Sequence, residues 1–220
     1  MRILTWNLFH GRSVPEAPHG LANAFAAALS GWEWDVALLQ EVPPWWGPWL
    51  GRACGASART AFTSRNVLLP VRRAVAVRAP QLIKSNGGGA NTILVRGQAV
   101  TDHRRVALRW WPERRIAHAV RTADGAWWGN LHAQVHSEAR ALADARTAAR
   151  ALLGWSASAP RVVLGGDTNV RRPVAPGFRH MGGNDVDHVL ARGWERVGAR
   201  RLDAGPLSDH AAVLVELRPA

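Results

Sequence analysis

The stretch Val162-Val163-Leu164, running into Gly165-Gly166-Asp167-Thr168-Asn169, constrains the fold more than any other part of the chain. Three aliphatic residues bounded by glycines read as a short strand buried in a core. Such a strand delivers the next residues to the edge of that core, and here they include a carboxylate, a hydroxyl and an amide. In an extended backbone, residues two apart point the same way, which sets Asp167 and Asn169 toward one pocket. A carboxylate orients or deprotonates water and a neighbouring amide donates to developing negative charge, so the pair suits hydrolysis. The same five residues are also ordinary turn formers.

Other apolar runs close in the same way. Ile3 to Phe9 is broken only by Thr5 and Asn7, as in a central strand, and Asn7 is either a turn former or a ligand-facing group. Leu21, Phe25, Ala28 and Leu29 share one face of a helix. A second strand, Trp34 to Val42, carries Gln40 and Glu41 at its end, giving a strand-helix-strand opening. Function collects at the carboxyl ends of strands in parallel sheets, and a carboxylate there suits a hard cation. Trp45, Trp46 and Trp49 follow two prolines and are expected in a packed loop that shields the core.

The middle carries fewer signals. Residues 66 to 78 suit a strand or a short helix, and Gly87-Gly88-Gly89 reads as a turn because the lysine and serine of a nucleotide loop are missing. The strand after it presents Asn91 and Arg96 at its ends, both candidate substrate contacts. Strands are expected near Val106 to Leu108 and Ile116 to Val120, with Asp124-Gly125 forming a hairpin into Ala126-Trp127-Trp128. The next strand ends on His132, and Ser137 is placed to cap a helix reaching Leu153. Asn184 to His188 enters a short strand through Asp187, and Asp209-His210 precedes a last core strand ending near Leu217.

A chain of 220 residues without linker-like stretches suits a single domain, 1–220. No targeting segment and no run of membrane-spanning length are visible, so a cytoplasmic protein with no membrane span is expected. No protein partner is evident. Cys54 is the only cysteine and is read as structural. The net charge of +12 rests on arginine, since Lys84 is the only lysine. That charge favours phosphate substrates, but the arginines stand as scattered pairs and no tract reads as a nucleic-acid arm.

Asn7, Glu41, His132, Asp167, Asn169, Asp187, Asp209 and His210 all fall at expected strand ends, and no serine or cysteine nucleophile accompanies them. Acids, amides and two histidines fit metal-assisted attack by water. The motifs Thr-Trp-Asn-Leu (5 to 8), Leu-Gln-Glu-Val (39 to 42), Asn-Leu-His-Ala (130 to 133), Gly-Gly-Asp-Thr-Asn (165 to 169), Val-Asp-His-Val (186 to 189) and Leu-Ser-Asp-His (207 to 210) resemble, in order, those of the endonuclease/exonuclease/phosphatase superfamily. The resemblance runs from residue 3 to residue 217.

This resemblance implies an α/β fold, a four-layer sandwich of two packed mixed β-sheets flanked by helices. It implies Mg²⁺, or Mn²⁺, held by Glu41 with Asn7 and Asp209, and Asp167 preparing the water beside Asn169. His210 is implied as a catalytic histidine polarised by Asp187, and His132 as a stabiliser of the pentacovalent phosphorane. Thr168 stands where many members have an aromatic or aliphatic residue, and the chain lacks the tyrosine that the abasic-DNA branch carries in the His132 motif. The expected substrate is a phosphodiester of nucleic acid or a nucleotide. The alternatives are a phosphomonoesterase, a sphingomyelinase-like lipid phosphodiesterase, or a catalytically silent binding module.

Overall fold

A computed structural model describes all residues except 64–65, 80–81, 84–88 and 158. The expected turn at Gly87-Gly88-Gly89 therefore lies mostly outside the described residues. The first sheet contains β1 (Arg2–Asn7), β2 (Val36–Val42), β3 (Ala56–Phe62), β4 (Ala90–Arg96), β11 (Trp194–Leu202) and β12 (Ala212–Pro219), in the order β11-β12-β1-β2-β4-β3. The second contains β5 (Val100–Arg109), β6 (Arg115–Thr122), β7 (Trp127–His132), β8 (Val162–Asp167), β9 (Arg179–Asn184) and β10 (Asp187–Arg192), in the order β5-β6-β7-β8-β10-β9. Among the described residues, two mixed six-stranded sheets with four α-helices thus form the α/β sandwich that the motifs imply.

Each sheet has one parallel pair at its centre, β1 with β2 and β7 with β8, while the other pairs are antiparallel. A parallel pair needs a crossover, and α1 (Ala22–Gly31) and α4 (Glu138–Trp155) supply the two. Parallel pairing also puts both carboxyl ends on one side, so Asn7 meets Gln40 in register and His132 meets Asp167. That register fixes where the site lies.

The central strands read as unbroken apolar runs because both of their faces are buried. Ile3, Leu38 and Val163 point between the sheets with Val36, Trp128 and Val189, whereas Leu4 and Leu39 pack beneath α1 with Phe25 and Leu29. Leu164 faces α4, against Ala145, Ala149 and Leu152. Burying each such side chain contributes about 1.5 to 3 kcal/mol. The tryptophan stretch expected as a loop is helical, α2 (Trp46–Ala53), because Pro48 falls in the first turn, where no amide partner is lost. Its indoles do pack inward: Trp46 lies 5.6 Å from Phe25 and 6.2 Å from Trp49. Residues 69–78 form α3 (Leu69–Arg78). Ser137 sits at the N-cap of α4 but its hydroxyl makes no capping bond.

The two expected substrate contacts on β4 are structural instead. Asn91 is 1% exposed and its Nδ2 donates to the Ile116 carbonyl at 2.9 Å, bridging the sheets. Arg96 lies beside Asp35, at the end of β2 opposite Glu41, where its guanidinium donates to the carbonyls of Cys54, Trp32 and Leu29 and stacks 3.7 Å from the Trp34 ring. It clamps the ends of α1 and α2. Gln40 and Asn130 form a second bridge, Nε2 to Oδ1 at 2.8 Å, and Asn130 Nδ2 returns bonds to the carbonyls of Leu39 and Thr92. These amides set the sheet spacing directly beneath the site. No helix of the described residues is long and apolar enough to cross a membrane.

His118, between the sheets on β6, contacts His103 Nε2 through Nδ1 at 3.1 Å. Burial, followed by the charge of His103, pushes its pKa down to about 3. The unfolded chain then binds a proton near pH 6.5 that the native state refuses, so stability is intact above that pH and falls on acidification toward 3. The expected slope from His118 is about 1.4 kcal/mol per pH unit. Denaturant unfolding between pH 4 and 8 of wild type and His118→Gln checks this, and an equal slope in the variant refutes it.

Candidate active site

Five strand ends and the segment before β12 build the site. Asn7 and Glu41 come from the parallel pair of the first sheet, His132 and Asp167 from that of the second, and Asp187 stands opposite Asp167 in the β8–β10 register. At Glu41 the β2–β4 pairing shifts register, and Glu41 itself adopts a left-handed φ of 49°. This bulge turns the carboxylate out of the ladder and into the cleft. The segment before β12 is tied down by Ser208, whose hydroxyl donates to the Asn7 carbonyl at 2.6 Å and accepts the His210 amide at 3.1 Å. The Trp6 indole N–H donates to the His210 carbonyl at 3.1 Å. Asp209 and His210 are thereby brought to the same rim.

One atom lies at the centre. Asp167 Oδ2 accepts Asn7 Nδ2 at 3.0 Å, with His132 Nε2 at 3.4 Å and His210 Nε2 at 3.9 Å. His132 Nε2 is also 3.8 Å from Glu41 Oε1, and His210 Nε2 is 3.9 Å from Asp209 Oδ1. Behind them, His210 Nδ1 and Asp187 Oδ2 are 2.7 Å apart. All eight residues implied by the motifs therefore belong to one neighbourhood, although Asn169 serves it differently from the expected alternation. β8 ends at Asp167 and Asn169 turns to φ 50°, so its backbone N–H donates to Asp167 Oδ1 and its Nδ2 to the Ala133 carbonyl, each at 2.9 Å. Asn169 orients the carboxylate rather than lying parallel to it. The Thr168 hydroxyl bonds the carbonyls of Val170 and Val186, which replaces apolar packing under this loop.

The ionisations follow from burial and neighbours. Burial, then the charge of Asp187, pushes the Asp167 carboxyl up to about 7. Burial likewise raises Glu41, opposed by Arg115 and His210. Burial disfavours a His210 cation, yet the hydrogen bond and charge of Asp187, joined by Asp167 and Asp209, outweigh it and hold the pKa up to about 9. His132 is held well below the usual imidazole range by burial and then by the charges of Arg115, His10 and His210. The two histidines are thus one cation and one neutral donor or acceptor at pH 7.

The donor set also fits a hard divalent cation. Asp167, Asp187 and His210 offer ligand atoms within 4.8 Å of one another, but His210 already supplies positive charge there through its bond to Asp187. Glu41 is the better anchor. Its carboxylate sits at the cleft with its pKa raised by burial, and a cation bound there would offset the cost of burying its charge.

A cleft of 370 Å³ opens in front of Glu41 and His132, lined also by His10, Arg114, Arg115 and His136. Two of these escape a reading of the sequence. His10 Nε2 lies 3.1 Å from Glu41 Oε2, and its only signal is a position three residues beyond Asn7, where it reads as turn. Arg115, a buried guanidinium held by Glu113 at 2.8 Å, is hidden in an arginine pair. The most exposed indoles, Trp110 and Trp111 at 71% and 82%, stand in the β5–β6 turn, with the Arg114 guanidinium 5.8 Å from the Trp110 ring.

The sequence matches the model of the Endonuclease/Exonuclease/phosphatase family over residues 4–210. No curated protein matches it. Among solved structures, the endonuclease/exonuclease/phosphatase from Beutenbergia cavernae is similar with a TM-score of 0.72 and 17% identity, covering 100% of this chain and 71% of that one. Humanized D. rerio TDP2 gives 0.69 and 14%, covering 99% and 98%. The Bacteroides thetaiotaomicron mannosyl-6-phosphatase gives 0.67 and 14%, covering 99% of both chains. At such identities the structural likeness speaks for the fold alone.

Proposed function

This chain belongs to the Endonuclease/Exonuclease/phosphatase family of metal-dependent phosphoric ester hydrolases, and on that premise we propose that its cleft hydrolyses phosphodiester bonds in nucleic acid or nucleotides. The observation that carries this reading is the convergence of Asn7, His132 and His210 on Asp167 Oδ2. That oxygen is the base that takes the proton of the attacking water, oriented by the Asn7 amide and the Asn169 backbone N–H. His210, kept cationic by Asp187, faces the negative charge that grows on the phosphoryl oxygens. His132, kept neutral by burial, adds a hydrogen bond without competing for the cation site.

Glu41, with Asn7 and Asp209, would hold Mg²⁺ or Mn²⁺, which when bound supplies Lewis-acid neutralisation of the phosphate. Exposed Trp110 and Trp111 beside Arg114 support a substrate that carries bases, since indoles stack on bases and arginine meets phosphate. One domain in a cytoplasmic setting completes the reading, in keeping with a single free, buried cysteine.

The test is a Mg²⁺ hydrolysis panel of single- and double-stranded DNA, RNA, a bis-aryl phosphate and a mono-aryl phosphate. Turnover of the mono-aryl ester alone would replace this reading with a phosphomonoesterase. In the same assay Glu41→Gln is expected to raise the Mg²⁺ concentration for half activity by at least the roughly tenfold that losing even an outer-shell partner costs. Activity that survives EDTA in the wild type would rule out the metal.

A further inference from the structure

Two sheet edges meet on one flank of the sandwich. β9 ends the second sheet and β11 the first, and they approach closely because Gly182 faces Ala199, where an added Cβ would lie 2.7 Å from the alanine methyl. A groove of 320 Å³ runs along this seam, lined by His180, Asn184, Arg196, Arg200 and Arg201. It contains three guanidiniums and no carboxylate. Among the described residues, none of these arginines forms an ion pair.

The groove is continuous with the site. Arg201 also lines a depression of 580 Å³ that holds Asp209 and His210. At the other end of the β9–β10 turn, Asn184 pairs with Asp187, the partner of His210. A path from the reacting centre therefore passes Asp203 and Asp209, turns over the rim at Arg201 and descends a flank whose charge is wholly positive. From Arg196 to Arg201 it spans about 16 Å of strand.

We propose that this groove is an exosite for the backbone of a single-stranded nucleic acid whose scissile phosphate lies at Asp167. The inference rests on the phosphodiesterase reading and names its substrate class. A duplex, with a persistence length of about 50 nm, bends over the rim only at a deformation cost that a flexible single strand avoids. A flat membrane does not enter a recessed seam between two strands, and an acidic polypeptide offers no ester to the adjoining site. Unpaired arginines facing a recess are what phosphate oxygens require.

The test compares wild type with the double variant Arg196→Ala/Arg200→Ala, two groove residues that do not line the depression at His210, on a single-stranded oligonucleotide long enough to cover site and groove, and on a bis-aryl phosphate too small to reach it. Bis-aryl turnover is expected to be unchanged, which also shows that the variant folds. The log-log salt slope of oligonucleotide affinity should flatten by about 1.4, roughly 0.7 for each phosphate no longer neutralised, and KM at 0.1 M salt should rise by about 10- to 30-fold. Arg196→Lys/Arg200→Lys should restore most of the loss. An unchanged oligonucleotide KM and slope would overturn the exosite while leaving the phosphodiesterase reading intact. Loss of binding to phosphatidylserine vesicles with oligonucleotide binding preserved would overturn it in favour of a membrane surface. Failure of the wild type to cleave the bis-aryl ester would instead sink the underlying reading.

Discussion

Asp167→Asn is expected to lower kcat on a bis-aryl phosphate by about 10²- to 10⁴-fold, the range that a positioned general base contributes. The asparagine is isosteric and its carbonyl can still accept from Asn7 or from the Asn169 amide, so the geometry around it is retained. The proton acceptor alone disappears. The variant should unfold no earlier than the wild type, because the charge at Asp167 is opposed by burial and by Asp187. A large fall in kcat with an undiminished Tm isolates chemistry from folding. Full activity in Asp167→Asn would remove Asp167 from the mechanism.

The second large effect is on stability and comes from the residue before it. Gly166 adopts φ 135°, and a Cβ placed there would lie 2.0 Å from the Leu131 carbonyl oxygen and 3.0 Å from its carbon. These are backbone atoms of the neighbouring parallel strand, so no rotamer change relieves the clash. Gly166→Ala is expected to destabilise the fold by more than about 4 kcal/mol, into the range reserved for severe packing and backbone faults. Gly154→Ala is the control. It lies in α4 with open space around the position, and there alanine should stabilise by roughly 0.5 to 1 kcal/mol. Denaturant midpoints of the two variants should move in opposite directions, and a wild-type midpoint for Gly166→Ala would refute the account. The close approach explains why glycine precedes the catalytic carboxylate: it lets β8 lie against β7 at the point where Asp167 and His132 emerge together.

Much of this was legible in the chain itself. Strands buried on both faces announce themselves as apolar runs, because every residue along them meets a core. Ile3-Leu4, Leu38-Leu39 and Val163-Leu164 are such steps, each divided between two hydrophobic layers. The polar residue closing each run marked the strand end, and with the six motifs this placed Asn7, Glu41, His132, Asp167, Asp187 and His210 in one neighbourhood. Of the four edge strands, part of β5 was legible at Val106 to Leu108, but β3, β9 and β11 were not. β11 alternates poorly, since most of its residues meet solvent on at least one side, and a strand without a buried face has no periodic signal.

Direction and partnership were decided only by the tertiary structure. Asn91 and Arg96 have the chemistry of substrate contacts, but β4 lies within the first sheet, so one amide bridges to the second sheet and one guanidinium clamps two helix ends. The bulge at Glu41, the left-handed turn at Asn169 and the capture of Glu41 by His10 depend on strand neighbours that are distant in sequence. Residue types and run lengths carry local free energies, and they determined the layers and the chemical inventory. Pairing across the sandwich decided which groups point into the cleft, because an ionisable side chain acquires its function from the burial and charges that the rest of the fold places around it.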